Sequence, residues 1–300
     1  MPSSALQTLP ERQLEPLVKA YRDAVRAKRM QAALGLGLVL GLLGLAAWTT
    51  QFDALLLAAN ADRLSSYFVR IFHLENGALA WTDPVEWFWG VLPEYKFRWL
   101  WSLWDTLLIA YLGTLFGTLG GFLLCFMASA NLARSRAHVF LARRALEFFR
   151  SVPEIVFAMI FVAAFGLGAL AGVLALSIHT MGALGKLFSD AVENIDMRPV
   201  DGLTSTGATW WETNRYAVLP QVLPNFTSYV LWRFENNVRG ASVMGLVGAG
   251  GIGQDLMEYI RKFYYSDISA LLVLIVSLVV IIDVLTGKLR HFLLGLQEAR

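Results

Sequence analysis

Long charge-free runs, not strict alternation, set the pattern of this chain. Residues 31–50, QAALGLGLVLGLLGLAAWTT, carry no charged side chain. Twenty residues of helix rise about 30 Å, the thickness of a bilayer's hydrocarbon core, so this run predicts a first transmembrane helix. A second run, TLLIAYLGTLFGTLGGFLLCFMASA (106–130), places Gly113, Gly117 and Gly121 four residues apart on one helical face. Small residues so spaced let two helix backbones approach closely in lipid. Residues 155–185 contain no Asp, Glu, Lys or Arg, and as one helix they would reach roughly 46 Å, too long for an ordinary crossing. The segment GLGALAG (166–172) is a natural break, because glycine weakens helix and permits turns. A hairpin follows, with a third helix over about 148–168 and a fourth over about 171–189. The run AVLPQVLPNFTSYVLW (217–232) is uncharged but holds two prolines, which predicts an irregular fifth span, broken or partly re-entrant. ISALLVLIVSLVVII (268–282) is the last apolar run. The expected fold class is an all-α membrane protein of about six transmembrane helices.

Charge orients these spans. Residues 1–30 are polar, with Arg12, Lys19, Arg22, Arg26, Lys28 and Arg29 against Glu11, Glu15 and Asp23. A basic excess before the first span predicts a cytoplasmic N-terminal segment. The segment after the second span holds Arg134, Arg136, Arg143, Arg144 and Arg150 and reads as a cytoplasmic loop. Lys288, Arg290 and Arg300 follow the last span, so the tail at 289–300 is expected on the same side. Residues 51–101 then form an extracytoplasmic connection, with Asp53, Asp62, Glu75, Asp83, Glu86 and Glu94. Six tryptophans between Trp81 and Trp104 suit the headgroup level, where an apolar ring and a polar N–H are both accommodated.

Composition agrees. A mean hydropathy of +0.53 and 16% charged residues stand against about 25% charged in soluble domains. The formal net charge of +2 gives no footing for nucleic acid. Cys125 lies inside an apolar run, and His73, His138, His179 and His291 are scattered without ligand spacing, which argues against a metal site.

Candidate chemistry is sparse. GAGGIG (248–253) matches G-x-G-x-x-G, with Asp267 downstream, but a dinucleotide site requires a strand before the motif and a βαβ unit around it. The surroundings here are transmembrane, so these glycines are read as backbone packing or bending. The chain has no phosphate-binding G-x-x-x-x-G-K-[ST] and no H-E-x-x-H, and no nucleophile stands beside a base. Ionisable residues at membrane depth are the stronger signal, since each is costly unless it faces protein or water. Glu154 follows Pro153 at the mouth of the third helix; Arg233, Glu235 and Arg239 follow the uncharged half of the fifth. Glu235 and Arg239 are four apart and can pair within the helix. Arg233 has no acid three or four residues away, so it must face a pore, pair with another helix or snorkel. These four are the candidate translocation path.

Between the fourth and fifth spans lies DGLTSTGATWWETNRYAVLP (201–220), a polar stretch in an oily chain. Its layout is Asp201-Gly202-Leu203, three residues, Gly207, nine residues, Ala217, one residue, then Leu219-Pro220. This resembles the EAA loop of binding-protein-dependent ABC importer permeases: E-A-A, three residues, G, nine residues, I, one residue, L-P. Asp, Gly and Leu replace the family's Glu and two alanines, and Ala217 replaces its Ile. SVPEIVFAMIFV (151–162), ALSIHTMGALGKLFSDAVENID (175–196), AVLPQVLPNFTSYVLWRFENNVR (217–239) and GLVGAGGIGQDL (245–256) are similar to the phosphonate-type (PhnE-like) permease subunit.

The resemblance implies an ABC type-1 importer transmembrane domain over 102–288, with a coupling loop near 193–216, in a bacterial inner membrane. It implies a second permease copy as partner, separate ABC ATPase subunits that bind the ATP, and a periplasmic substrate-binding protein. The cargo would be a phosphonate or a related oxyanion such as phosphite or phosphate. No cofactor is expected in this chain, and no enzymatic activity of its own. Within the loop, Asp201 suits a helix cap, Pro199 a helix start and Gly207 a bend. Trp210 and Trp211 suit docking in a partner's groove.

Overall fold

The computed structural model describes residues 11–74, 76–89, 96–133 and 135–298. Glu75, Glu94, Arg134 and Arg300, counted above among the charge signals, lie outside them. The chain divides into two compact units, Met1–Ser66 and Tyr67–Arg300.

In the first unit, α1 (Glu11–Thr49) is a single helix of 39 residues. The apolar run at 31–50 is therefore the second half of a longer helix, and the polar segment before it is helical from Glu11. Pro16 sits near its start. There its missing N–H deprives only the opening turn of a bond. A short α2 (Ala54–Ala59) follows, capped by the Asp53 carboxylate, which accepts from the Leu55 and Leu56 N–H groups at 2.9 and 3.0 Å.

The next helix begins in the first unit and ends in the second, which holds the rest. After α3 (Ala61–Ile71) and α4 (Pro84–Trp89) come α5 (Lys96–Ala128), α6 (Arg136–Ser151), α7 (Glu154–Phe165) and α8 (Ala169–Glu193). The short α9 (Arg198–Ser205) and α10 (Trp210–Thr213) lead through a π turn at Asn214–Val218 into α11 (Leu219–Met244). Then come α12 (Ile252–Lys262) and α13 (Tyr265–Glu298). Among the described residues four helices are long and apolar enough to cross a membrane: Val18–Thr49, Trp99–Ala128, Ala169–Glu193 and Tyr265–Leu293.

The hairpin region differs from its expected outline. The third helix was expected over 148–168, but α6 and α7 meet at an 85° bend. Val152 and Pro153 separate them, with extended ψ angles of 122° and 139°. A proline restricts the residue before it to extended backbone, so the helix must stop there. The basic segment expected as a loop is thus mostly helical. α6 is amphipathic, with Phe140, Leu141 and Phe148 exposed beside its arginines. The turn between α7 and α8 falls at Gly166 (φ 88°) and Gly168 (φ 144°), where the GLGALAG segment placed it. The irregular fifth span is instead one unbroken helix, α11. Pro220 falls in its first turn and only Pro224 lies inside.

α8 is the hub, touching α5, α6, α7 and α11. The approach is close because glycines line the seams. A Cβ on Gly113 would lie 2.5 Å from Leu176 Cβ, one on Gly117 2.5 Å from Thr180 Cβ, and one on Gly121 2.9 Å from the Gly185 nitrogen. The glycine face of α5 is therefore its contact with α8. On the other side, a Cβ on Gly182 would meet the α6 backbone at Leu146 and Arg150.

The GAGGIG segment is a packed corner. Gly248, Gly250 and Gly251 have φ near +80° (85°, 85° and 76°), a region open mainly to glycine. Thr106 on α5 accepts from the Ile252 N–H at 2.8 Å, and the Gly168 N–H donates to the Gly248 carbonyl at 3.0 Å. These contacts seal α12 onto the ends of α5 and α8. Trp87 on α4 donates to Ser269 at 2.8 Å and Trp99 to Tyr259 at 3.4 Å, tying the preceding aromatic segment to α12 and α13. Trp101 and Trp104 stay exposed.

Candidate functional site

The 201–220 stretch folds as two short helices and a π turn. Pro199 occupies the first turn of α9, where no N–H is needed. Asp201, expected as the cap, lies one turn inside: its N–H donates to the Met197 carbonyl at 2.9 Å. Asp196 instead accepts from the Arg198 N–H at 3.0 Å. The reason is register, since Pro199 starts the helix two residues before Asp201. The Asp201 carboxylate remains in the first turn, favoured by the helix dipole. Gly207 has φ 84° between α9 and α10. A capping box the sequence reading missed starts α10. Thr209 Oγ1 accepts from the Glu212 N–H at 3.4 Å while Glu212 accepts from the Thr209 N–H at 2.7 Å. The T-x-x-E spacing was its signal. The hydroxyl and N–H of Thr209 hold the Glu212 carboxyl below its ordinary pKa. The contribution of this box is therefore present above that ordinary value and is lost as pH falls through the lowered one.

The loop residues divide by face. Leu203, Trp210 and Leu219 pack on a buried cluster with Phe188, Val200, Val218 and Phe226. Asp201, Gly202, Gly207, Trp211 and Pro220 face outward. The tryptophan pair expected as one docking face is thus split. Trp210 donates its indole N–H to the Leu132 carbonyl at 3.1 Å and packs edge-on to Phe126, whereas Trp211 is 73% exposed. A half-buried indole with a bonded N–H belongs to its own fold. Trp210→Ala is expected to destabilise the protein by about 2 kcal/mol, below the ~3–5 kcal/mol of a fully buried ring. Trp211→Ala should stay within about 0.5 kcal/mol. Thermal melting in detergent checks the ranking, and equal losses would contradict the division. Just before the loop, Arg143 of α6 joins the ends of α5 and α8, donating to the Ala128 carbonyl at 3.0 Å and pairing with Glu193.

The four candidate path residues form two groups. Arg233 on α11 is buried, faces α8, donates to Thr180 Oγ1 at 3.3 Å and contacts His179 Nδ1. Glu154 Oε2 lies 3.1 Å from the same Nδ1. Of the three options open to Arg233, pairing with another helix is the one present. A buried chain extends it: Asn237 donates to Thr180 at 2.9 Å and to Thr114 at 2.8 Å, linking α11, α8 and α5. His179 and Thr180 carried no signal in the sequence, since their partners lie on other helices. The second group is Glu235 with Arg239, paired at 2.5 Å one turn apart. Arg239 also lies 3.8 Å from Asp283 and donates to Asn236 at 3.2 Å. Glu235 is buried and Arg239 exposed, so Arg239 is the guanidinium that α11 presents outward. Among the described residues no group of three or more His, Cys, Asp and Glu side chains could hold a metal ion.

The chain was compared with known families. The model of the binding-protein-dependent transport system inner membrane component family matches residues 120–293, more than half of the chain. This chain belongs to that family. It is 42% identical over 195 residues to the phosphite transport system permease protein PtxC of Stutzerimonas stutzeri, covering 65% of this chain and 71% of the relative. It is 54% identical over 121 residues to the putative cryptic phosphonate transport system permease protein PhnE2 of Escherichia coli K12, covering 40% of this chain and 99% of that one. A permease chain of the MetNI methionine ABC transporter in an inward-facing conformation has the same fold, with a TM-score of 0.59 at 20% identity, covering 68% of this chain and 99% of that one. The all-helical, several-span architecture is that of a type-1 ABC importer permease, a transport subunit and not an enzyme. The family match starts at residue 120, so α1 to α4 precede the matched core.

Proposed function

We propose that this permease subunit forms the membrane path of an ATP-driven importer for phosphonates. The observation that carries the cargo is the naming of its relatives: two permeases that align over long stretches serve phosphite and cryptic phosphonate systems. Phosphite is the second reading, favoured by the longer of these two alignments. Both cargoes are compact oxyanions, and guanidinium groups bind such oxygens with directional, charge-assisted bonds.

Membership of the family supports a wider assembly. Two permease copies form a homodimer in the bacterial inner membrane, with N- and C-termini in the cytoplasm. The 201–220 loop meets separate ABC ATPase subunits, which bind the ATP. A periplasmic binding protein delivers cargo at the other face. The outward set of Asp201, Gly202, Gly207, Trp211 and Pro220 offers the contact, while Leu203, Trp210 and Leu219 transmit it into the bundle. Closure of the ATPases moves the loop, and the glycine-sealed α5–α8 pair follows as a rigid body, switching access between the two sides. Glu154, Arg233, Glu235 and Arg239 line or set the charge of the path.

The test is uptake by the complete importer in proteoliposomes, with labelled methylphosphonate and competing phosphite, phosphate and methionine. ATP-dependent uptake blocked by phosphorus oxyanions and not by methionine is expected. Preferential uptake of phosphite would favour the second reading, and uptake of none of the oxyanions would end both. Within the path, Arg239→Gln removes one charged hydrogen-bonding group, ~1.5–3 kcal/mol or about ten- to hundredfold in uptake. Because Arg239→Gln also strips the buried Glu235 of its close partner, leaving Arg290 at 4.0 Å, uptake is normalised to the amount of folded complex. Undiminished uptake in Arg233→Gln, Arg239→Gln and the double variant would remove both from the path.

A further inference from the structure

A cavity of about 450 Å³ opens at the cytoplasmic end of α5, lined chiefly by Leu123, Phe126, Met127, His138, Trp210 and Trp211. Its size falls in the range of small-ligand sites. Its walls are almost wholly apolar, and no part of the fold described so far fills it. We propose that it binds one anionic phospholipid, the acyl chain entering between α5 and the two tryptophans and the headgroup resting against the arginines of α6.

Two features identify a lipid as the occupant. First, the cavity continues a membrane surface. Leu108, Tyr111, Leu115, Leu119, Leu123 and Met127 are all exposed and fall three or four residues apart, which places them on one face of α5. That face is an apolar stripe along a helix of membrane length. Its last two members, Leu123 and Met127, are walls of the cavity, so a chain lying along the stripe ends inside it.

Second, α6 marks the headgroup level. It exposes Phe140, Leu141 and Phe148 together with Arg136 and Arg144, and it turns 85° away from α7. A basic amphipathic helix with exposed aromatic residues lies in the membrane interface and attracts anionic lipids. Arg144 is 60% exposed at its side chain, half-engaged with Glu147 at 2.6 Å, and Arg136 is two residues from the cavity wall at His138. The apolar cavity and the cationic rim thus meet where one phospholipid would present an acyl chain and a phosphate.

The consequence is functional because Trp210 and Trp211 form the far wall. A chain in the cavity braces the coupling loop against α5, so ATPase activity of the complex would depend on the bilayer.

The experiment uses the complete permease–ATPase complex. Native mass spectrometry after detergent extraction should show one phospholipid retained per permease copy, with phosphatidylglycerol preferred to phosphatidylethanolamine. Met127→Trp, which places an indole in the mouth of the cavity, should lower retention at least about tenfold, and Arg136→Gln should abolish the anionic preference while the lipid remains. Unchanged retention in Met127→Trp overturns the proposal, and equal retention of both lipid classes overturns the headgroup assignment. A photoreactive benzoyl-phenylalanine at His138, a cavity wall off the lipid-facing stripe of α5, decides even if Met127→Trp fails to assemble. Cross-linking to phospholipid supports the site; cross-linking to an ATPase subunit or to a second permease copy shows that a protein fills the cavity.

Discussion

Gly207→Val is expected to abolish most transport while leaving the permease in the membrane and folded. Gly207 has φ 84° at the bend between α9 and α10. A β-branched residue there costs roughly 1–3 kcal/mol of backbone strain. No neighbouring atom lies within 4 Å of a Cβ at this position, so the penalty is conformational and not a clash. It falls on the bend alone, and ~1.4 kcal/mol per tenfold converts it to about a ten- to hundredfold loss of correctly bent loop. Gly207→Asn is the informative companion. Asparagine visits the left-handed region more readily than other side chains, and that variant should keep most uptake. Proteoliposome uptake and copurification of the ATPase subunits would be measured together. Full uptake by Gly207→Val, with the ATPases still bound, would show that the bend plays no part in coupling.

Gly117→Val should have the larger effect on the folded protein itself. Its Cβ would come 2.5 Å from Thr180 Cβ, 2.6 Å from its Cγ2 and 2.9 Å from the Ser177 carbonyl oxygen. Helix backbones cannot yield locally at such a seam, so α5 and α8 must separate. Overpacking of this kind costs about 1–3 kcal/mol and sometimes more. Thr180 is also the acceptor for Arg233 and Asn237. Moving it leaves buried donors unmet, at about 1–3 kcal/mol each. A lower melting temperature and an aggregated size-exclusion profile are expected. Gly287→Val on α13, where nothing lies within 4 Å, should behave as the parent protein. An unaltered Gly117→Val melt would mean that the α5–α8 seam can open without cost.

Much of this molecule is legible in one dimension because the bilayer is a severe solvent. A span must be apolar and must bond its own backbone, so hydropathy and length find the apolar middles of α5, α8 and α13, although not their ends, since α5 starts at Lys96 and α13 runs to Glu298. The glycine spacing on α5 likewise announces a close partner, since in lipid small residues are how helices approach. The loop spacing at 201–220 carries its family before any coordinate is known. Other features leave weaker marks. The boundary between α6 and α7 is written in Val152-Pro153, yet the apolar run that begins at 155 suggests a helix whose start, at 148, overruns it. Only the extended backbone at those two residues shows the 85° turn between the two helices. The T-x-x-E box at Thr209 is legible in the sequence, whereas the inward turn of the neighbouring Trp210 is not.

The sequence by itself determined the solvent, the helical class, the glycine seams and the family, since each depends on composition or on spacing along one chain. Tertiary structure alone decided which side chains face one another. It set Arg233 against His179 and Thr180 on another helix, sent Trp210 inward and Trp211 outward, and left Asp201 inside α9 while Met197 took the cap position. The physical reason is the same throughout. Burial and pairing across helices depend on the rotation and register of each helix about its axis, and those are fixed by packing against neighbours that are distant in the chain.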